Sequence, residues 1–168
     1  MKSMAGLCIG FLLYLMLGCV ATRYGDFSDL NNSQLTNISD ETVGYMKSIW
    51  LPAKTKLLFM RSKKPGAFDQ VFVDKLRNAG YQVLEMEDRP VGEGGIGREI
   101  ESLPAHDDYL PVKYVVDRDD YEGHVVYSVM VFVGSDIVGG TFSSTNGADL
   151  HQLGVWTHKS SGLITGTR

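Results

Sequence analysis

The chain has 168 residues, enough for one ordinary domain and too few for two. Hydrophobic residues make up 43% and charged residues 21%, which disfavours both global disorder and a polytopic membrane protein. The formal net charge of -4 lacks the basic footprint of sequence-independent nucleic-acid binding, so we expect no direct nucleic-acid partner. Both cysteines, Cys8 and Cys19, fall in the first 19 residues, which excludes a disulfide framework from the rest of the chain.

The N-terminal segment has the pattern of a secretion signal. Lys2 precedes an apolar run from Ala5 to Leu17. That run is shorter than the roughly 20 residues of a membrane-spanning helix and suits the 7–15 residues or so of a signal peptide. It ends in Leu15-Met16-Leu17-Gly18-Cys19, which resembles the lipobox of bacterial lipoproteins. An uncleaved anchor helix and an ordinary signal peptide remain as alternatives.

The lipobox resemblance implies that residues 1–18 are removed and that Cys19 becomes a lipidated first residue carrying acyl chains such as palmitate. Only a cysteine suits this reaction, because its thiolate is the nucleophile. Several acyl chains together hold a protein stably on a membrane. Val20 stands where an aspartate is associated with retention at the inner membrane. We therefore expect an outer-membrane lipoprotein that faces the periplasm.

Residues 19–38 are rich in Ser, Asn and Asp, and this composition predicts a flexible, lipidated tether. A periplasmic domain is expected over residues 39–160, followed by a C-terminal tail at 161–168. Ser39-Asp40-Glu41 has the capping residue and acids of a helix N-terminus, and Pro52 ends the predicted helix.

A strand–helix–strand unit follows the first predicted helix. Thr55 to Arg61 reads as a strand, and Tyr81 to Met86 reads as the next one. Between them an apolar stripe at helical spacing runs from Phe68 to Ala79 and is closed by Gly80. Such a unit has a right-handed crossover by default.

The second half of the chain predicts a β-meander after a Gly-rich, acidic loop from Glu87 to Asp108. Asn146-Gly147 is its strongest hairpin signal. The fold class is therefore α+β: a single domain with a mixed, mostly antiparallel sheet of about six strands and two helices on one face. The predicted meander strands are Val112–Asp117, His124–Val133, Ile137–Ser144 and Leu150–His158.

Several motifs in the chain partly match known chemical sites. Gly92, Gly94 and Gly97 match a dinucleotide fingerprint as letters, but a strand and a helix do not flank them. The acidic cluster Asp117, Asp119, Asp120 and Glu122 lacks EF-hand spacing, and His106, His124, His151 and His158 lack paired zinc spacing. Ser135 lies in a predicted turn without a nucleophile-elbow motif. We expect no catalytic, metal or cofactor residue and no enzymatic activity, with Cys19 as the single predicted site.

Five basic residues surround the first strand of the strand–helix–strand unit. They fit a sheet edge protected by lysine, or a surface that docks an acidic partner protein. These residues are Lys54, Lys56, Arg61, Lys63 and Lys64.

Seven short motifs follow one another along the chain. They are Gly18-Cys19, residues 24–27 (YGDF), residues 51–55 (LPAKT), residues 68–85 (FDQVFVDKLRNAGYQVLE), residues 110–117 (LPVKYVVD), residues 127–129 (YSV) and residues 154–157 (GVWT). Their order resembles the conjugal-transfer lipoprotein TrbH family, whose members are encoded in plasmid mating-pair-formation clusters. The resemblance covers nearly the whole mature chain. The chain departs from the family pattern in its loop 87–108 and at Gly139-Gly140.

This resemblance implies a structural or accessory part of a conjugative type IV secretion apparatus for plasmid DNA transfer. It implies contacts with other core-complex proteins of that apparatus and no catalytic residues. Two rivals remain: a periplasmic ligand-binding or cell-envelope lipoprotein unrelated to conjugation, and an enzyme of unknown type. The first would require an apolar pocket with converging polar groups. The oligomeric state is not predicted.

Overall fold

The structure, a computed structural model, describes residues 24–61, 66–87, 108–121, 124–145 and 149–160. The described residues form seven strands, two α-helices and one short 3-10 turn. In chain order these are β1 (Gly25–Phe27), α1 (Asn32–Ile49), the 3-10 turn (Pro52–Lys54), β2 (Lys56–Arg61), α2 (Ala67–Asn78), β3 (Gln82–Glu87), β4 (Tyr109–Tyr121), β5 (His124–Val133), β6 (Asp136–Thr145) and β7 (Asp149–Lys159).

The strands form one mixed sheet in the order β3-β2-β4-β5-β6-β7. Strand β4 is long enough to take two partners along one side. Its first residues pair in parallel with β2, and Val115 to Asp117 then pair in parallel with β1. The strands β2 and β3 are parallel, and β4 to β7 form an antiparallel meander. The predicted α+β class, with a strand–helix–strand unit before a meander, is confirmed.

Both helices pack on the same face of the sheet. Alternate residues of the strands point toward the helices and are buried, as the two-residue period of a strand requires. On β4 these are Val112, Tyr114 and Val116, and on β5 they are Tyr127, Val129, Val131 and Val133. They form one core with Leu35, Ile38 and Met46 of α1 and with Phe68, Phe72 and Leu76 of α2.

We call the opposite side of the sheet the open face. No helix of the described part of the chain packs on it. It is formed by the strand positions between those that point toward the helices. The apolar side chains at these positions lie outside the core cluster. They include Met60 of β2, Met86 of β3, Val115 of β4, Met130 and Phe132 of β5 and Ile137 of β6.

The first helix begins earlier than the sequence predicts. It starts at Asn32 rather than at Ser39, because Asn31 caps it and forms a capping box with Gln34. The Asn31 Oδ1 accepts hydrogen bonds from the backbone N–H groups of Ser33 and Gln34, each at 3.0 Å. The Gln34 side chain in turn accepts the Asn31 N–H at 3.1 Å. Gln34 and Ser39 are buried, so the first turns lack a clean apolar stripe.

The prediction of a flexible tether over residues 19–38 is therefore wrong from residue 25 onward. Gly25–Phe27 forms β1 within the sheet, and α1 occupies the stretch from Asn32. A three-residue strand gives almost no periodic signal, and its partner β4 lies far away in sequence. Residues 1–23, which include the predicted signal and Cys19, lie outside the described residues, as does the tail 161–168.

The remaining predicted helix and strands are confirmed, with shifts of a few residues at their ends, whereas the predicted Asn146-Gly147 turn lies outside the described residues. The helix after β2 ends before Gly80, whose φ of 94° is the left-handed conformation expected of a glycine at a helix C-terminus. Strand β4 is longer than predicted, since it continues beyond Asp117 through charged residues to Tyr121. The predicted loop 87–108 lies outside the described residues except at its two ends.

A buried aromatic cluster joins β2, α2 and β4. The ring of Tyr114 packs 4.7 Å from that of Phe68 and 5.9 Å from that of Phe59, measured between centroids. Its hydroxyl donates a hydrogen bond of 2.9 Å to Oδ1 of Asp69, which is fully buried. The other oxygen of Asp69 accepts the Gly66 N–H at 2.5 Å, which caps the start of α2. Asp69 therefore links the helix N-terminus to the middle of β4.

Burial sets the protonation behaviour of this pair. Desolvation raises the pKa of Asp69 above its ordinary value of 3.8, and the hydrogen bonds from Tyr114 and Gly66 oppose that rise only in part. Desolvation also raises the pKa of the Tyr114 phenol, and the neighbouring Asp69 carboxylate adds to the effect. The tyrosine therefore stays protonated and remains a donor.

Tyr114→Phe should lower the free energy of unfolding by about 2 kcal/mol, because it removes a donor from a buried carboxyl group. Tyr121→Phe is the matched control, since Tyr121 lies on the same strand with 65% of its surface exposed. That control should change stability by less than about 0.5 kcal/mol. Urea unfolding of both variants measures the difference, and equal effects would contradict the structural role given to the Tyr114 hydroxyl.

The pH dependence of stability gives a second test of Asp69. The folded-state pKa lies above 3.8, so the folded protein holds this proton more tightly than the unfolded chain does. The contribution of Asp69 is therefore fully present below that pH and is lost as pH rises through the folded-state pKa. The unfolding free energy of the wild type minus that of Asp69→Asn should fall with rising pH and then level off. A difference that rises with pH would show that the carboxylate is the favoured buried form.

Candidate interaction surface

Strand β7 forms one edge of the sheet and is its most exposed strand. Within the described residues it is the last strand in the sheet order, and it is hydrogen-bonded to β6 on one side. All its residues with described side chains except Leu150 and Trp156 are exposed, and Val155 reaches 84%. An edge strand presents backbone N–H and C=O groups that can pair with an added strand. This edge is therefore the first candidate for a protein contact.

A β-bulge divides this edge strand. Thr141 of β6 pairs with Leu153, and Gly139 pairs with Thr157, so three residues of β7 lie opposite Gly140. Gly154, at φ 73°, supplies the left-handed backbone that the bulge requires. The ladder is regular on the N-terminal side of the bulge, over Asp149–Leu153. A partner strand would find its longest uninterrupted template there.

The bulge turns Trp156 toward the helices. Its ring stacks on Tyr45 of α1, with centroids 5.1 Å apart and planes 12° from parallel. It also meets Phe142 edge-on at 5.9 Å. A Cβ built on Gly140 would lie only 2.6 Å from the Trp156 ring, so the indole occupies the space that a side chain at position 140 would need. The absence of a side chain at residue 140 is thus part of this contact.

Further contacts hold the C-terminal half of β7. The ring of His158 lies 5.8 Å from that of Trp50, at the end of α1. His158 Nε2 is 3.4 Å from Oδ2 of Asp136, and the Ser160 hydroxyl donates to the other Asp136 oxygen at 3.1 Å. The edge strand is therefore braced against α1 and β6 while its outer side stays exposed.

The basic residues around β2 do not form a sheet edge, so that interpretation is wrong. Strand β2 lies between β3 and β4. Arg61 forms an ion pair with Glu85, which also accepts a 2.6 Å hydrogen bond from Arg77. Lys56 lies 3.4 Å from Asp108. These carboxylates neutralise Lys56 and Arg61, two of the five residues of the predicted basic patch, and Lys63 and Lys64 lie outside the described residues.

The other sequence candidates are not brought together. Asp117, Asp119 and Asp120 lie on β4 itself, where successive side chains alternate between faces, so they do not converge as ligands. The described histidines lie at the start of β5 and along β7, whereas His106, Glu122 and the three glycines of residues 92–97 lie outside the described residues. In the part of the chain that the structure describes, no group of three or more His, Cys, Asp or Glu side chains could hold a metal ion.

Gly139-Gly140 and the motif of residues 154–157 were noted in the sequence only for their relation to the family pattern, and neither the bulge nor the contact between Gly140 and Trp156 was predicted. The sequence did contain a signal for both features. Glycine inside a strand marks a bulge or a close approach, and Gly139-Gly140 and Gly154 lie within predicted strands, with Gly154 two residues before a tryptophan. Ser135 lies as predicted in the β5–β6 turn, beside Gly134 with a φ of 60°. The predicted site residue Cys19 lies outside the described residues.

The described residues thus define an α+β domain whose helices cover one sheet face and whose last strand is an exposed edge. Residues 21–160 match the family of the conjugal transfer protein TrbH, and the chain belongs to that family. The resemblance found from the motifs is confirmed, and membership implies a function in conjugal transfer. Searches of curated proteins and of solved structures gave no match.

Among the described residues, neither helix is long and apolar enough to cross a membrane.

Gly140→Ala should destabilise the domain by about 1–3 kcal/mol, because the new methyl group would overlap the Trp156 ring. Gly44→Ala is the matched control: it lies within α1, and its Cβ would meet nothing within 4 Å. Alanine there should stabilise the helix by about 0.5–1 kcal/mol. Chemical denaturation measures both, and equal behaviour of the two variants would show that Trp156 does not occupy the place assigned to it.

Proposed function

We propose that the protein is a lipid-anchored outer-membrane component of a conjugative type IV secretion apparatus, with its α+β domain in the periplasm. The observation that carries this proposal is the match to the TrbH family over residues 21–160. Conjugal transfer requires an envelope assembly, and a non-enzymatic accessory role fits a domain whose exposed feature is a sheet edge. The match does not support the alternative hypothesis of a ligand-binding envelope lipoprotein unrelated to conjugation.

The anchor is the lipidated Cys19. Cys19 lies two residues before the first matched residue, Ala21, at the end of an apolar run of signal-peptide length. A thioether-linked lipid with further acyl chains would supply the two or more chains that stable membrane binding needs. Val20 in place of aspartate favours the outer membrane.

The partner-binding element is the outer edge of β7. Its regular segment, Asp149–Leu153, can accept an extended segment of another mating-pair-formation protein by main-chain pairing. The contacts of Trp156 and His158 hold this edge in place, so little conformational freedom is lost on binding. Val155 projects from the bulge beside this segment and adds apolar surface.

The anchor is tested by Cys19→Ser in cells that carry the plasmid. We expect loss of palmitate labelling and release of the protein from the membrane fraction. Cys8→Ser is the matched control, because Cys8 lies inside the predicted signal and should leave labelling unchanged. Labelling that survives Cys19→Ser would refute the lipid anchor, and continued membrane association without a label would favour the uncleaved helix.

The role in transfer is tested by deleting the gene in frame and complementing it with variants. Deletion should lower the mating frequency, and the wild-type gene should restore it. Val155→Lys should complement about tenfold less well, corresponding to about 1.4 kcal/mol of lost docking free energy. Lysine on an edge opposes strand pairing, and Val155 is exposed enough for stability to be unaffected.

Leu51→Lys is the control for the edge variant, because Leu51 is an apolar residue with 58% exposure outside β7. It should complement as the wild type does. An unchanged mating frequency after deletion would refute the role in conjugation. Full complementation by Val155→Lys would refute the β7 contact and leave the role in conjugation standing.

A further inference from the structure

The distance between the proposed anchor and the folded domain is short. The described chain begins at Tyr24, so residues 20–23 alone separate it from Cys19. Consecutive Cα atoms are about 3.8 Å apart and an extended chain advances about 3.4 Å per residue, which gives a reach of about 17 Å. A domain of this size has a radius of gyration of about 13 Å. Some surface of the domain must therefore lie beside any membrane that holds Cys19.

Tyr24 shows which surface that is. Its ring meets Phe132 of β5 edge-on, with centroids 5.4 Å apart and planes at 87°. The ammonium group of Lys113 lies 4.6 Å from the centre of the same ring. Lys113 and Phe132 are paired neighbours on the open face of the sheet. The chain thus enters the domain on the face that the helices leave uncovered.

The open face next to Tyr24 is apolar. Val115 and Met130 lie side by side in the β4–β5 pairing, and Gly25 pairs with Val115 from the other side. Met130 is 41% exposed, and Phe27 at the end of β1 is 46% exposed. Asp117 is the cross-strand neighbour of Phe27 and marks the border of this area, and Asp119 lies farther along β4. The apolar part of the face is thus the part nearest to the point of chain entry.

We propose that this part of the open face, formed by Tyr24, Phe27, Val115, Met130 and Phe132, rests on the bilayer surface that holds Cys19. We call it the membrane-facing patch. The inference rests on the lipid anchor of the proposed function. Tyrosine and lysine pair an apolar body with a polar tip and suit the headgroup region, while Phe and Met side chains suit the acyl boundary.

The short linker favours the bilayer over other occupants of the patch. Once Cys19 is inserted, Tyr24 at the edge of the patch is held within about 17 Å of the membrane. Binding to lipid then becomes an intramolecular event with a high effective concentration, so a weak apolar contact is enough. A second copy of the chain or a partner protein would have to enter the space between the patch and the membrane.

Fluorescence quenching by lipids tests the patch. The proposed mature chain has no free thiol, because Cys8 is removed and Cys19 is blocked, so one introduced cysteine can be labelled selectively. Phe27→Cys and Met130→Cys place an environment-sensitive fluorophore on the patch. Leu51→Cys and Lys47→Cys are controls outside the patch, because Leu51 is 58% exposed and Lys47 is an exposed residue of α1, on the helix side of the sheet. Leu51 precedes β2, and the first residue of β2, Lys56, pairs with Tyr109 of β4. Phe27 pairs with Asp117 of β4, eight residues later, which is about 26 Å farther along that strand.

The full-length lipidated variants are reconstituted into vesicles of phosphatidylethanolamine and phosphatidylglycerol that contain lipids spin-labelled near the headgroup. We expect the fluorophores at positions 27 and 130 to be quenched at least twofold more than those at 47 and 51. Urea unfolding of each labelled variant shows that the fold is kept.

Each other outcome overturns the inference in a distinguishable way. Flotation with the vesicles but equal quenching at all four positions keeps the anchor and refutes the patch. A blue shift at position 130 that grows with protein concentration in detergent would show that a second copy covers the patch instead. Failure to float with the vesicles would refute the anchor and, with it, the short linker on which the patch depends.

Discussion

The surfaces of this domain follow from one constraint: its two helices cover a single face of the sheet. The described chain supplies α1 and α2 as the helical layer, and the core includes the inward-facing residues of β2, β4, β5 and β6. Asp69 and Tyr114 connect that layer to the central strand β4. Because no helix of the described residues packs on the other side, Met130 and Phe27 are partly exposed there, and Trp156 of the edge strand β7 packs against the helix side.

Much of this arrangement could be predicted because it depends on local patterns. The apolar stripe of α2, the alternation in β5 and the glycine after α2 are each encoded within about a dozen residues. What could not be predicted depends on pairing between distant segments. Strand β1 has three residues and gains its conformation from β4, some ninety residues later. The β7 bulge likewise depends on how Gly140 and Trp156 meet across two strands.

The misplacement of the α1 start has a specific physical cause. Asn31 and Gln34 form a capping box, but the same polar residues, followed by Thr36 and Asn37, have the composition of a linker. Gln34, Ser39 and Thr42 are buried, and the Thr42 hydroxyl donates to the Ile38 carbonyl at 2.6 Å. The buried side of α1 is therefore partly polar. The helical spacing of its buried positions becomes visible only when the buried polar residues, which can hydrogen-bond within the helix, are included with the apolar ones.

The early start of the fold also changes the proposed geometry at the membrane. A twenty-residue tether would let the domain sample every orientation, whereas a four-residue linker that ends on the open face gives the sheet a preferred one. With the open face on the bilayer, the sheet lies along the membrane and the helices point into the periplasm. The hydrogen-bonding groups of a sheet edge lie in the plane of the sheet, so the outer edge of β7 then points parallel to the membrane. A strand added to β7 would extend the sheet sideways along the membrane surface, so the anchor and the docking edge would together favour partners that are also close to that surface.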